Sequence, residues 1–329
     1  MLQENKKSRI EYIDLMKGIC ISLVVIVHCD ITLPVKIIND LLQNLRMPLY
    51  FFLSGLFFKE YGSFMEFLVK KTNKLIIPYF FFSYIPYFLF DFFFSTDVNK
   101  SFYYYLFMGI EPYNFPLWFL RSLFVAYILF YAIHKIAKNR NWIIILLVLL
   151  IISFLAWLAS SHIPKSGWHF IGENFLTSIF ALPFLYIAML LRSKGLLSHC
   201  FNTKQLLYFL CGGLVAWVIC VQKDVFFFKA HFGEIYPLLY ISAFGGITCI
   251  WVFCYKIKKL YYFSYVGRYS IIVLGTFAPV NRFLYTCFSL TGYAQACITL
   301  AIMPIMVYLF KNFFPYFTAQ KDLITIHKR

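Results

Sequence analysis

The chain has 329 residues, of which 61% are hydrophobic and only 13% are charged. A soluble domain carries about a quarter charged residues, so this composition excludes an ordinary soluble enzyme. Apolar runs of about 20 residues recur from end to end, and an α-helix needs that length to cross a bilayer. The composition therefore predicts an all-α protein, a polytopic transmembrane helical bundle.

The hydropathy pattern predicts about ten membrane-spanning helices. Little sequence lies outside them, so we expect any activity to come from the bundle itself. The segment Phe102–Ile110 suits an interfacial or re-entrant piece. We predict an integral membrane domain over residues 1–315 and a short basic cytoplasmic tail over residues 316–329. The predicted spans cover about residues 12–31, 46–60, 75–94, 117–135, 142–160, 174–191, 205–222, 235–255, 269–288 and 293–312.

The basic residues alternate in density from loop to loop. Of the 30 Lys and Arg residues, 22 fall at the termini and loops on one side of the predicted spans, and six fall on the other side. Because positively charged loops stay in the cytoplasm, both termini are predicted to be cytoplasmic. This asymmetry and attraction to anionic membrane lipids explain the net charge of +16, so no nucleic-acid partner is needed.

Two ionisable residues, Lys17 and His28, lie inside the first apolar segment. An ionisable side chain at membrane depth is costly and marks a functional site by default. Eleven residues make about three helical turns, so both side chains share one stripe, about 16 Å apart along the axis. Asp14 lies near that stripe. A histidine suits proton transfer near neutral pH, although a core histidine bonded to a neighbouring carbonyl is the plainer alternative.

Basic residues also lie near the third and fourth spans. Lys71 and Lys74 share a helix face at the cytoplasmic boundary, where positive-inside charge is the simpler explanation. Arg121 lies about one turn inside the fourth span, so it should face the bundle interior or a water-filled cavity.

Three further residues lie at the outer ends of spans, namely Arg46, Trp118 and Arg282. Each is either a substrate contact or an anchor at the membrane interface. The nine cysteines lie mostly inside spans and show no CxxC spacing, so we predict neither disulfides nor a metal site.

The motifs taken together resemble acyltransferase family 3, the membrane proteins that O-acetylate carbohydrates at the bacterial envelope. Ten residues separate Lys17 from His28, as ten separate an Arg from a His in the first span of relatives. Met47–Gly55 is similar to the family's second-span motif, Met-Pro-Leu-Phe-Phe-Phe-Leu-Ser-Gly. Lys17 replaces the usual Arg and loses its bidentate geometry.

Later segments extend this resemblance over essentially the whole chain. Lys71 and Lys74 precede Pro78-Tyr79, as a basic pair precedes Ile-x-Pro-Tyr in relatives, and Pro116–Leu120 matches Pro-Leu-Trp-Phe-Leu. One departure is Phe277, which occupies a place where relatives often have a His.

The resemblance implies a membrane-embedded O-acyltransferase of the bacterial plasma (inner) membrane. It implies acyl-CoA, most often acetyl-CoA, as the donor, a cell-envelope carbohydrate or glycolipid as the acceptor, and no metal. The catalytic residues would be His28, Lys17, Asp14 and Arg121, the CoA-binding residues Lys17, Lys71 and Lys74, and the substrate-binding residues Arg46, Trp118 and Arg282. His28 would act as a general base or carry the acyl group itself.

A transporter or flippase of sugar-containing substrates is the main alternative, with His28 as a proton relay. Buried Lys, His and Arg in ten spans fit that function on physical grounds. The sequence shows no pair of Gly/Pro-broken segments in corresponding halves, which counts against it. The sequence leaves the acceptor, the acyl chain length and the oligomeric state open.

Overall fold

The computed structural model describes residues 10–29, 31, 36–94, 114–137, 140–162 and 169–325. Within these ranges the chain is helical and contains no strand, apart from one isolated bridge between Phe226 and His231. The prediction of an all-α fold is therefore confirmed.

Thirteen α-helices follow one another in the described ranges, and several of them are long enough to cross a bilayer. The helices are α1 (Glu11–Val27), α2 (Lys36–Gly55), α3 (Phe64–Lys71), α4 (Ile77–Phe94), α5 (Trp118–Ala137), α6 (Trp142–Ser160), α7 (His169–Phe180), α8 (Leu182–Ser193), α9 (Thr203–Ile219), α10 (Tyr236–Ile257), α11 (Tyr261–Arg268), α12 (Ser270–Phe288) and α13 (Gly292–Phe313). A π-helical turn, Thr72–Ile76, joins α3 to α4, and 3-10 turns at Phe115–Leu117 and Phe227–Lys229 lie before α5 and between α9 and α10.

Every predicted span overlaps a helix, but six segments of the described chain are both long and apolar enough to cross a membrane. The ten-span count and the cytoplasmic location of the termini stay predictions. The segment Phe102–Ile110 lies outside the described residues. The six segments are Phe115–Ala137, Trp142–Ser160, Gly172–Ser193, Tyr236–Ile257, Ser270–Phe288 and Gly292–Phe313.

The second and sixth spans differ most from their predicted bounds. α2 begins at Lys36, ten residues before the predicted start, so Arg46 lies well inside a helix and not at its outer end. The polar residues at the start of α2 hide this part of the helix from a hydropathy scan. The sixth predicted span is divided at Ala181 between α7 and α8.

Close helix crossings at glycine determine how α1 packs. A Cβ at Gly18 would lie 1.8 Å from the carbonyl oxygen of Phe263 in α11, and a Cβ at Gly267 would lie 2.0 Å from the carbonyl oxygen of Asp14. Small residues allow this approach of two backbones in a membrane bundle. The buried Asp14 carboxylate lies 3.7 Å from Arg268 Nε across the same crossing.

Glycines also allow close contacts between other helices. A Cβ at Gly245 in α10 would lie 2.5 Å from the carbonyl oxygen of Gly213 in α9, and a Cβ at Gly55 in α2 would lie 2.4 Å from that of Leu185 in α8. α2 packs against α1, α8 and α10, and it therefore lies at the centre of the described bundle.

Candidate functional site

A cavity of about 250 Å³ lies at the C-terminal end of α1. Its walls come from α1, α2, the start of α5, the loop between α9 and α10, and α12. Three predicted site residues, His28, Arg46 and Trp118, line it together. Most of the wall is aromatic or aliphatic with a few polar groups, which is the usual composition of a small-molecule site.

His28 follows the last residue of α1 as its C-cap, and its side chain is exposed. Its Nδ1 lies 2.8 Å from the carbonyl oxygen of Val24, one turn earlier. A carbonyl only accepts, so Nδ1 carries the hydrogen and Nε2 of the neutral ring carries the lone pair. A general base or a nucleophile requires such a lone pair. The bond to Val24 matches the plainer alternative, but exposure in a cavity does not match a core histidine.

Phe277 packs directly against the His28 ring. The two ring centroids are 5.4 Å apart with an interplanar angle of 65°, an edge-to-face contact. The position at which the family resemblance leads us to expect a His therefore lies beside His28. In this chain an apolar contact and the carbonyl of Val24 orient the imidazole.

Arg46 is buried in the cavity wall with one of its terminal nitrogens unsatisfied. Nε donates to the carbonyl oxygen of Leu42 at 3.1 Å. Within the described part of the chain, Arg46 Nη1 and Gln43 Oε1 are buried and have no hydrogen-bond partner. Buried polar groups are nearly always hydrogen-bonded, so unsatisfied atoms in a cavity wall need an explanation.

The loop between α9 and α10 closes one side of the cavity. Asn44 Nδ2 donates to the carbonyl oxygen of Gln222 at 2.7 Å, and the Gln222 backbone N–H donates to Asn44 Oδ1 at 3.0 Å. Gln222 Oε1 in turn accepts a hydrogen bond from the Ile235 N–H at 3.0 Å. Phe232 stacks on Phe180, with centroids 4.0 Å apart. These contacts hold the loop in place, and sequence reasoning missed its role.

Trp118 is held by this loop and by the turn that precedes α5. Its ring lies 5.7 Å from that of Phe228, which in turn lies 4.0 Å from Phe115. Asn114 Nδ2 donates to the carbonyl oxygens of Phe82 and Gly275 at 3.0 and 2.7 Å, which fixes the start of the turn.

Two of the predicted donor-binding residues lie near the other end of α2, its C-terminal end. Lys17 Nζ is 3.8 Å from the ring centroid of Phe57, just after α2. Lys71 Nζ is 3.3 Å from the ring of Tyr127, whose hydroxyl donates to the carbonyl oxygen of Ser54 at 2.7 Å. The C-terminus of a helix carries partial negative charge and attracts cations. Arg192, which sequence reasoning did not single out, donates to the carbonyl oxygen of Leu56 at the same end.

Lys71 lies outside the predicted spans but is nearly inaccessible to water. Burial, followed by the positive charge of Lys59, lowers the pKa of Lys71 from 10.5 to about 7. An anion bound beside Lys71 would favour its charged form.

Lys74 contacts the C-terminal segment instead, because that segment folds back onto the π-helical turn. Lys74 Nζ donates to the carbonyl oxygen of Ala319 at 2.5 Å, and Lys70 Nζ pairs with Asp322 at the same distance. Asn73 is fully buried; its Oδ1 accepts from the backbone N–H groups of residues 323 and 324, and its Nδ2 donates to two carbonyl oxygens. In the sequence, the only sign of this role is that Asn73 is a polar residue between two lysines.

The remaining predicted residues do not line the cavity. Asp14 is paired with Arg268 at the α1–α11 crossing. The Arg121 guanidinium carbon lies 5.4 Å from the ring centroid of Tyr79, and Arg282 is exposed on α12. Among the described residues no group of three or more His, Cys, Asp or Glu side chains is arranged to hold a metal ion.

Comparison with known proteins places the chain in a family. A family model described as an acyltransferase domain matches residues 10–314, which is nearly the whole chain and contains every described helix. No curated protein and no solved structure matches the chain. The protein is a multi-pass membrane protein that belongs to acyltransferase family 3.

Proposed function

We propose that this membrane acyltransferase moves an acetyl group, or another acyl group, from acyl-CoA to a hydroxyl of a cell-envelope carbohydrate, in the plasma membrane of a bacterium. One observation carries the proposal. His28 lines a cavity with its Nδ1 bonded to the carbonyl of Val24, so that Nε2 is the basic nitrogen.

The proposed reaction exchanges a thioester for an ester. His28 Nε2 takes the proton of the acceptor hydroxyl, and the oxygen attacks the thioester carbonyl carbon. The carbon–sulfur bond breaks, and the CoA thiolate takes the proton back from the imidazolium, which leaves an ester and a thiol. In the covalent variant, Nε2 attacks the thioester carbonyl first, the carbon–sulfur bond breaks and CoA leaves as a thiolate. The acceptor hydroxyl then attacks the acyl-imidazolium, the carbon–nitrogen bond breaks, and the hydroxyl proton passes to the thiolate, which leaves the same ester and thiol. Both routes need the lone pair of Nε2.

The cations at the opposite end of α2 fit the donor side of this scheme. Lys17 and Lys71 lie near the predicted cytoplasmic face, where they would neutralise the phosphates of CoA. The spacing of Lys17 and His28 along one helix is about 16 Å, which is comparable to the reach of an extended pantetheine arm. On the acceptor side, Trp118 offers an aromatic face to a sugar ring.

The test compares His28→Ala with a matched histidine variant. His162 also contacts a carbonyl oxygen one turn earlier, that of Leu158 at 2.8 Å, but it lies on an exposed helix end away from the cavity. We expect His28→Ala to lower transfer of radiolabelled acetyl from acetyl-CoA to a cell-envelope glycan fraction by about a hundredfold or more. His162→Ala should retain wild-type activity.

Wild-type transfer by His28→Ala would contradict the proposal. If the wild type neither binds acyl-CoA nor forms esters but carries a sugar across a vesicle membrane, the transporter with His28 as a proton relay becomes the better explanation.

A further inference from the structure

We propose that the acceptor carries an acidic group, a carboxylate or a phosphate, and that Arg46 binds this group in the cavity beside His28. The inference rests on the proposed function and names its substrate class. It follows from the environment of one side chain.

Arg46 holds a charge that the described protein does not balance. Arg46 is only 8% exposed, and its guanidinium keeps its proton under all ordinary conditions. Of its five N–H groups, Nε–H donates to the carbonyl of Leu42, and the buried Nη1 has no partner among the described residues. A buried charge without a counter-charge is strongly unfavourable, so such sites are paired or bind a ligand.

No carboxylate of the described chain supplies that counter-charge. The ion pairs found there lie elsewhere, at Asp14–Arg268, Glu60–His134, Glu11–Lys259 and Asp322–Lys70. Asp40 is in the same helix, but it lies six residues earlier and therefore about 120° around the helix from Arg46. The balancing group is therefore expected from a bound molecule.

The rest of the cavity wall suits a sugar that carries this group. Trp118 and Phe228 contribute aromatic rings to the wall, and Gln43 contributes an unsatisfied amide oxygen that can accept from a hydroxyl. A neutral sugar would leave the guanidinium uncompensated. A carboxylate or a phosphate accepts two parallel N–H bonds from a guanidinium, which fixes orientation as well as charge.

The first experiment identifies the acceptor in cells. O-acetyl esters on envelope glycans are mapped by mass spectrometry in cells that produce the wild type and in cells that produce His28→Ala. We expect the ester that is lost to lie on, or next to, a residue that bears a carboxylate or a phosphate. An ester on a wholly neutral glycan would overturn the inference while leaving the proposed function intact. Loss of no ester at all would overturn the proposed function, and the inference with it.

The second experiment removes the charge from the isolated acceptor. Amidation neutralises carboxylates and dephosphorylation removes phosphates, so the two treatments distinguish the two acids. With the wild-type protein we expect one treatment to raise the KM for the acceptor by about tenfold to a hundredfold, as for loss of a charged hydrogen bond. An acceptor that reacts equally well after both treatments would overturn the inference, whatever happens to any variant.

A variant assigns the effect to Arg46. Arg46→Gln should raise the KM for the native acceptor by a similar factor and should no longer distinguish native from neutralised acceptor. Arg140→Gln, at an exposed position in the loop between α5 and α6, is the matched control and should behave as the wild type. If Arg46→Gln lowered kcat with unchanged KM, the residue would act on the reacting carbonyl and not on an acidic group.

Discussion

The environment of Lys71 predicts that both the stability of the protein and the binding of the donor depend on pH. Its pKa is lowered from 10.5 to about 7, chiefly by burial, so the side chain of the unliganded protein loses its charge as the pH rises through 7. The unfolded chain keeps that proton up to about pH 10.5, so this group alone makes the folded state more stable as the pH rises from 7 to 10.5.

The same shift predicts the opposite trend for donor binding. Phosphates favour the protonated lysine, so the dissociation constant of acetyl-CoA should rise between pH 7 and pH 9, by up to about tenfold per unit. Calorimetry at several pH values measures this. Lys71→Arg keeps its charge over the whole range and should show a nearly flat profile. A wild-type affinity that does not change with pH would show that Lys71 is remote from the phosphates.

Residue spacing predicted some features of the site but not its assembly. Ten residues between Lys17 and His28 sufficed to place them at opposite ends of one stripe of α1. His28 and Arg46 line the same cavity because of the position of α2, which starts ten residues before the predicted span. The roles of all these residues stay predictions.

At the scale of helices, the crossing of α1 with α11 is the least tolerant contact. Gly18→Ala would put a Cβ 1.8 Å from the carbonyl oxygen of Phe263, a backbone atom that cannot move without shifting a helix. Overpacking of a core costs about 1–3 kcal/mol even where side chains can adjust. We expect a lower yield of folded protein and a thermal midpoint several degrees below that of the wild type.

Gly212→Ala is the matched control for this prediction. No heavy atom outside its own helix lies within 4 Å of a Cβ there, so the variant should match the wild type in the same thermal measurement. If the thermal midpoint fell equally in both variants, the crossing of α1 with α11 would not be what limits stability.

Some elements follow from local sequence and others do not. α6 has the bounds of its predicted span because it is a long apolar run that begins after Asn141, whose side chain accepts from the Ile143 N–H. The first half of α2, by contrast, contains the polar Asn44, which is buried and satisfied by hydrogen bonds to Gln222 far along the chain. A hydropathy scan cannot detect such a long-range partner.

At the scale of the whole molecule, hydropathy indicates which helices lie in the membrane, but it does not indicate how the segments between the helices fold. The all-α membrane fold could be predicted because few other structures satisfy backbone groups in lipid. The cavity could not be predicted, because it needs the loop between α9 and α10, which a hydrogen-bonded turn and stacked aromatic rings hold in place. The C-terminal segment docked on Asn73 is a similar case.

The charge asymmetry makes a prediction about orientation. A membrane-impermeant maleimide should label a single cysteine at Lys223→Cys in intact cells, because that loop is predicted to face outward. A protein whose single cysteine is the natural Cys200, which is exposed in the predicted cytoplasmic loop, should react only after permeabilisation. The reverse pattern of labelling would contradict cytoplasmic termini.

Acyl-CoA dependence is the central claim, and binding to the purified protein tests it most directly. Acetyl-CoA is titrated by calorimetry into the wild type and into Lys17→Ala in detergent. We expect saturable binding by the wild type and binding weaker by about tenfold or more in the variant, because a cation beside the phosphates is lost. If the wild type bound no acyl-CoA of any chain length tested, the account of this protein as an acyl-CoA-dependent transferase would be contradicted.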